Sequence, residues 1–192
     1  ILTLEEQEVF RRPPMAEVEP AGPIVLNGEQ EAAFQGLNAL CQAEQPAAAL
    51  LYGVTGSGKT QVYLRLIQET LKRGKTALFL VPEIALTPQL LRIFAAHFGE
   101  QVAVLHSSLR AGERYDEWKR IRRGEAPVVI GTRSAVFAPL SNLGLVILDE
   151  EQEASYKSEN NPRYHAREVA KYRCVQENAL LLLGSATPSV ET

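Results

Sequence analysis

The octapeptide Gly53-Val54-Thr55-Gly56-Ser57-Gly58-Lys59-Thr60 constrains this chain more than any other segment. It lies between a short apolar run, Ala48–Tyr52, and a stretch from Lys59 to Lys72 in which apolar residues recur three and four apart. The spacing fits G-x-x-x-x-G-K-[ST], and its context of strand before and helix after is the one that a phosphate-binding loop requires. Glycines let the backbone curl so that successive amide N–H groups point inward at phosphate oxygens, and the positive end of the following helix adds to that field. Lys59 is expected to reach the β- and γ-phosphates, and Thr60 to offer its hydroxyl to Mg²⁺, a cation that prefers oxygen ligands and keeps several waters. Gly53, Thr55, Gly56, Ser57, Gly58, Lys59 and Thr60 are therefore the expected nucleotide-binding set. A glycine-rich turn without function is the alternative, and the flanking strand and helix argue against it.

Further short apolar runs follow at Thr76–Val81, Val102–Leu105, Val128–Gly131, Leu145–Asp149 and Leu180–Leu183, and read with Ala48–Tyr52 as buried parallel strands. Helical patterns fall before and between them, at Gly28–Ala43, Lys59–Lys72, Pro88–Phe98, Ala111–Arg123 and Ala166–Glu177. Strand and helix alternate, which predicts an α/β fold with a doubly wound, mostly parallel sheet and helices on both faces. Residues 1–23 carry Pro13, Pro14, Pro20 and Pro23 among acidic residues and are expected to be a linker or arm, with one compact domain over 24–192. The chain opens on Ile1 rather than Met, and is expected to be cut from a longer protein.

No apolar run approaches the ~20 residues that cross a bilayer, and no signal-peptide pattern opens the chain, so a cytosolic protein is expected. Cys41 and Cys174 lack metal-ligand spacing and are expected to be inert thiols. A net charge of −3 offers no global attraction for nucleic acid, so any such contact must be local.

A phosphate loop needs acidic groups to complete the metal site and to orient the attacking water. Leu145-Val146-Ile147-Leu148 ends at Asp149-Glu150-Glu151-Gln152, which puts carboxylates at the carboxyl edge of the sheet, where ligands bind in such folds. Asp149 is expected to assist Mg²⁺ through water and Glu150 to act on the hydrolytic water. Lys59, Asp149 and Glu150 form the candidate catalytic set.

With these residues in place, the chain resembles the superfamily 2 helicases, and most closely the primosomal replication-restart helicases, over Leu26 to Thr192. The resemblance rests on GVTGSGKT at 53–60, VPEIALTPQ at 81–89, LHSSL at 105–109, Arg114 with Trp118, GTRSAVFAP at 131–139, SYK at 155–157, RYHARE at 163–168 and GSATPS at 184–189. It implies a first RecA-like helicase lobe that binds ATP with Mg²⁺. The second lobe with its arginine finger, and a segment that holds zinc, are expected to lie outside this chain. An arginine at the γ-phosphate is worth on the order of 10³–10⁵ in rate, so the fragment alone is expected to bind nucleotide, hydrolyse it poorly and not unwind DNA. The implied whole protein is an ATP-dependent DNA helicase acting at stalled forks in the cytoplasm, at the bacterial nucleoid, as a monomer. Its implied partners are single-stranded and forked DNA, other primosome proteins and single-strand-binding proteins, without a membrane. The alternatives are a non-motor phosphate-loop NTPase and a nucleotide-regulated binding module.

The resemblance also distributes roles. Gln30, ahead of the first helix, matches the adenine-recognising segment, since an amide pairs with both a donor and an acceptor; an ordinary helix residue is the equal alternative. Thr87 and Gln89 match the first DNA-contacting motif, with Thr87 also placed to cap a helix that has Pro88 at its first position. Thr132 and Arg133 present a hydroxyl and a guanidinium in the same topological position, a pairing that fixes a DNA backbone without reading sequence. Tyr156 and Tyr164 lie in an aromatic-rich loop that implies stacking on single-stranded DNA, with structural anchoring as the alternative. Ser185 and Thr187 are the candidates for linking nucleotide to DNA, and their strand is implied to lie between the phosphate-loop and acidic-motif strands. One position departs from the family's DEEH: Gln152 replaces the histidine. Glutamine donates and accepts hydrogen bonds but carries no positive charge, which puts coupling to the GSAT segment in question while leaving nucleotide binding unaffected.

In the helix over Ala111–Arg123, the spacing of Tyr115, Trp118 and Ile121 predicts a core-facing stripe, with a base-stacking platform as the alternative. Lys119, Arg120, Arg122 and Arg123 are expected to form a solvated face, with DNA contact as the alternative.

Overall fold

The computed structural model describes residues 18–54 and 56–187, so most of the expected arm, Thr55 of the phosphate loop and the end of the GSATPS segment lie outside the described residues. Six strands, β1 (Ala47–Tyr52), β2 (Thr76–Leu80), β3 (Val102–Leu105), β4 (Val128–Gly131), β5 (Leu143–Leu148) and β6 (Leu180–Ser185), form one sheet in the order β1-β6-β5-β2-β4-β3. Every pairing is parallel. The expected α/β fold is the fold observed, and β6 lies between β1 and β5 as the resemblance implied.

Among the described residues five α-helices cover the sheet: α1 (Gly28–Gln42), α2 (Lys59–Lys72), α3 (Pro88–Phe98), α4 (Ala111–Arg122) and α5 (Ala166–Glu177). Because side chains alternate across a strand, Ala77, Phe79, Leu145, Ile147, Leu180 and Leu182 enter one core with α1, α2 and α3. Their neighbours Leu78, Leu80, Val146, Leu148, Leu181 and Leu183 enter a second core with α5 and Ile121 of α4. Burial on both faces is why these strands read as continuous apolar runs. The first core carries a file of rings, with Phe79 between Tyr63 at 5.6 Å and Phe94 at 5.0 Å, and Phe98 at 5.8 Å from Phe94. Among the described residues no helix is long and apolar enough to cross a membrane.

Two expectations give way at the sheet's edges. β1 is not buried on both faces: it is an edge strand whose Leu50 and Tyr52 are exposed while Ala47, Ala49 and Leu51 pack inward. At the opposite edge, α4 does not present Tyr115 and Trp118 to the core; these are 63% and 40% exposed, whereas Asp116, Glu117, Arg120 and Ile121 are buried. Arg120, expected in the solvated run, is 3% exposed.

The reason lies in the backbone of β3. An edge strand leaves a row of N–H and C=O groups without ladder partners. Here Glu117 accepts the Val104 N–H at 2.8 Å, and Arg120 donates to the carbonyls of Glu100 at 2.6 Å and Val102 at 3.4 Å. The two side chains also bond each other at 2.6 Å. The pair therefore closes the sheet edge with polar groups. Removing one member strands the other as an uncompensated buried charge, a loss of about 3–5 kcal/mol. Glu117→Ala is expected to lower the melting temperature by about 6–20 °C, and Glu117→Gln, which keeps an acceptor for Val104, by clearly less. Thermal unfolding followed by circular dichroism checks this, and an alanine variant melting within a degree of the parent would remove the edge-closing role.

Candidate nucleotide site and its coupling network

The phosphate loop leaves β1 at Tyr52 and is fastened at once to β6, because Gly53 N–H donates to the Ser185 carbonyl at 3.1 Å. Gly56 and Gly58 have φ of +83° and +79°, left-handed values that favour glycine. A side chain at Gly58 would also collide with the Gln30 amide, and a Cβ at Gly53 would lie 2.7 Å from Ser57 Oγ. Lys59 Nζ turns back over the loop and donates to the Gly53 carbonyl at 2.6 Å. Helix α2 starts at Lys59 with no side-chain cap, so its first amide groups are left to whatever the loop encloses. Thr60 is half-buried in that first turn.

Gln30 is tied to this loop. Its Oε1 accepts the Asn27 N–H at 3.0 Å in a reciprocal cap of α1, and its Nε2 donates to the Ser57 carbonyl at 3.0 Å. Both ends of the amide are thus engaged, and the direct effect of Gln30 here is to brace the loop. Beside it, Glu29, Gln30, Ala33, Tyr52, Lys59 and Val62 help to line a cavity of about 140 Å³.

Asp149 follows β5 at the same edge. Its N–H donates to the Leu80 carbonyl of β2 at 2.9 Å, and its Oδ1 accepts the Tyr63 hydroxyl of α2 at 2.9 Å. The hydroxyl of Tyr156 shares its proton between the Asp149 carbonyl at 2.6 Å and the Leu80 carbonyl at 3.0 Å. Burial pushes the Asp149 carboxyl above its usual range and the neighbouring Glu150 charge adds to this, while the Tyr63 bond and Lys59 pull it down. Burial, reinforced by the Asp149 charge, raises the Tyr63 phenol as well, which keeps it a donor. Gly184 of β6 makes room for this arrangement: a Cβ there would lie 2.7 Å from Asp149 Oδ1 and would overlap the Tyr63 hydroxyl.

Glu150 sits at φ +50°, a left-handed conformation that costs a non-glycine residue of order 1–3 kcal/mol. The turn separates three adjacent acidic side chains. Glu151 goes inward, 3% exposed, with Arg167 at 3.4 Å, and Glu150 stays half-buried at the sheet edge. Gln152 Nε2 donates to Glu150 Oε2 at 2.7 Å; Gln152 Oε1 accepts the Ser185 hydroxyl at 2.7 Å; Ser185 Oγ in turn accepts the Thr187 N–H at 3.0 Å. Donors and acceptors alternate along this chain without conflict, because one amide supplies both functions. A hydrogen-bonded path from Glu150 to the GSAT segment therefore runs through an uncharged side chain.

The residues expected to touch DNA fall along the same edge on the far side of β5. Thr87 caps α3, accepting the Leu90 N–H at 3.2 Å, with Pro88 following it; Thr87 and Gln89 are exposed. Thr132 is 2% exposed and so does not present its hydroxyl to a phosphate. Arg133 is not a free guanidinium either: it donates to the carbonyls of Ser155 at 3.1 Å and Lys157 at 2.7 Å, and lies 6.0 Å from the Tyr164 ring. Tyr156 is fully buried and offers no ring face to a base; it is the anchor of its loop. Tyr164 is half-buried, edge-on to Phe137 at 4.9 Å. His165 accepts the Arg167 N–H at 3.2 Å as the cap of α5, and burial lowers its basicity. Tyr63 was not singled out from the sequence, although its place one helical turn after Lys59 is the signal that puts it on the loop side of α2.

The family model described as DEAD/DEAH box helicase matches residues 30–192. The chain is 49% identical over 187 residues to the Replication restart protein PriA of Bacillus subtilis (strain 168), covering 97% of this chain and 23% of that protein. It is 54% identical over 166 residues to the PriA of Treponema pallidum (strain Nichols), covering 86% of this chain and 25% of that protein. The chain thus spans about a quarter of the length of these curated relatives. A solved structure of RecG bound to a three-way DNA junction superposes with a TM-score of 0.66 at 29% identity, covering 86% of this chain and 21% of that one. The Pyrococcus furiosus Hef helicase domain shares the fold, with a TM-score of 0.57 at 20% identity over 82% of this chain and 32% of that one. With its phosphate loop, its Asp149-Glu150 edge and the match over residues 30–192, the chain belongs to the DEAD/DEAH box helicase family.

Proposed function

We propose that this chain is the ATP- and Mg²⁺-binding lobe of a DNA-translocating helicase that acts in replication restart. The observation that carries the reading is the continuous connection from Glu150 through Gln152 to Ser185 and Thr187, beside a phosphate loop fastened to the same strand β6. A motor needs such a connection, because hydrolysis must be felt away from the nucleotide. The names of the PriA relatives support replication restart as the setting, and the RecG complex supports DNA as the track.

The donor set suits Mg²⁺ carried in on a nucleoside triphosphate. Thr60 and Asp149 offer a hydroxyl and a carboxylate, and Mg²⁺ is commonly held by one or two such oxygens together with phosphates and water. Bound there, the cation would neutralise charge on the phosphates. Its charge would also favour the ionised form of Asp149, offsetting the burial that now raises that carboxyl. Lys59 would exchange the Gly53 carbonyl for phosphate oxygens. Glu150, held by Gln152, would orient the attacking water and accept its proton. The arginine that speeds hydrolysis is expected from a second lobe of the longer protein, and single-stranded or forked DNA and other primosome proteins are the proposed partners. Thr87, Gln89 and Tyr164 are the retained candidates for DNA contact.

Lys59→Ala is expected to abolish calorimetric ATP binding while leaving the melting curve unchanged, since Lys59 turns toward the loop and not the core. Retained affinity would refute the phosphate-loop assignment. In the longer protein, Gln152→Ala is expected to leave ATP affinity alone and to lower DNA-stimulated turnover by about 10- to 100-fold, the loss of one hydrogen bond to a charged group. Unchanged stimulated turnover would show that the connection does not transmit.

A further inference from the structure

We infer that the outward face of α4 binds single-stranded nucleic acid. The inference rests on the reading of this lobe as part of a DNA motor, and extends the track to an element that none of the site residues above occupies.

The observation is a segregation of charge by burial. The acidic residues Asp116 and Glu117 of α4 are buried, and Glu117 is used by Arg120 and the β3 backbone. Arg110, Arg114 and Arg122 are exposed, against Glu113, whose carboxylate caps the helix by accepting the Arg110 N–H at 2.9 Å. A helix of mixed charge in sequence thereby shows solvent a basic face. Two aromatic side chains lie in that face, Tyr115 at 63% and Trp118 at 40% exposure, with the Lys119 ammonium 5.5 Å from the Tyr115 ring. Together with Arg114, Arg122 and Ala111 they line a concavity of about 370 Å³.

Exposed rings interleaved with cations suit a chain that is both anionic and rich in flat π-faces. Single-stranded nucleic acid has both: bases stack on the rings and phosphates meet the cations. A duplex hides its base faces, and an acidic peptide has no stacked bases to offer. The position is also continuous with the DNA-facing edge. Arg114 donates to the Ser107 carbonyl at 3.2 Å, and the Ser107 hydroxyl donates to Glu83 at 2.7 Å, which ties the start of α4 to the 81–89 segment. A strand crossing Thr87 and Gln89 meets α4 as it leaves the sheet beyond β3, at the end remote from the phosphate loop on β1.

Trp118 is the only tryptophan in the chain, so its emission reports this surface alone. Titration of the chain with a fluorescein-labelled oligothymidylate at low salt is expected to quench Trp118 in step with the rise in anisotropy, and added salt to reverse both. Tyr115→Ala and Arg122→Glu, both at exposed positions, are expected to weaken the oligonucleotide about tenfold each without changing the melting curve. A rise in anisotropy with Trp118 unquenched and both variants binding like the parent would put DNA elsewhere on the lobe, overturning this inference and leaving the motor reading intact. No anisotropy change at all would count against DNA contact by the lobe and so against both. Equal quenching by polyglutamate would overturn the assignment to nucleic acid.

Discussion

The site depends on how Asp149 is held. Its N–H is spent on Leu80 of β2, its carbonyl on Tyr156, and its carboxylate on Tyr63 of α2. These bonds come from a neighbouring strand, from the loop beyond the acidic motif and from the helix that follows the phosphate loop. With its backbone held on both sides and its carboxylate held by Tyr63, Asp149 has little freedom to drift, and burial of the carboxylate is tolerated because a donor faces it. Remove this fixing and neither the phosphate loop nor Glu150 keeps a defined distance from the Asp149 carboxylate.

The parallel sheet does the gathering. All six strands end at one edge, so segments far apart in sequence emerge side by side. β6, the last of the described strands in sequence, inserts between β1 and β5, and its Gly184 and Ser185 pair with β1 and adjoin the acidic motif that follows β5. Ser185 accepts Gly53 through its backbone and reaches Gln152 with its hydroxyl, which makes one residue the meeting point of the phosphate loop and the acidic motif. Gln152 makes the connection because its one amide carries a donor for Glu150 and an acceptor for Ser185.

Much of the fold was legible because strands buried on both faces must be continuous apolar runs, and because the phosphate loop fixes what precedes and follows it. Thr87 was legible as a cap for the same local reason, with Pro88 next to it at the first position of α3. What escaped the sequence were the tertiary choices. Hydrophobic periodicity put Tyr115 and Trp118 inside α4, but periodicity knows nothing of the bare edge of β3, whose polar backbone drew Glu117 and Arg120 inward and turned the helix. Tyr156 read as a stacking ring, with anchoring as the alternative, until two carbonyl oxygens were found at its hydroxyl. Arg133 and Thr132 looked presented for DNA because their segment follows a strand; that one would be buried and the other would hold the 155–157 loop depended on contacts from distant residues. Strand β1 read as buried because nothing local marks an edge.

The position of Lys59 Nζ in a crystal structure of this chain with Mg²⁺ and a non-hydrolysable ATP analogue tests the proposed site most directly. Nζ is expected to leave the Gly53 carbonyl, now 2.6 Å away, for the β- and γ-phosphates, with the cation beside Thr60 and Asp149 and the Gln152 connection intact. An analogue bound elsewhere, or one bound at the loop with Lys59 still on Gly53 and no cation near Asp149, would contradict the proposed site.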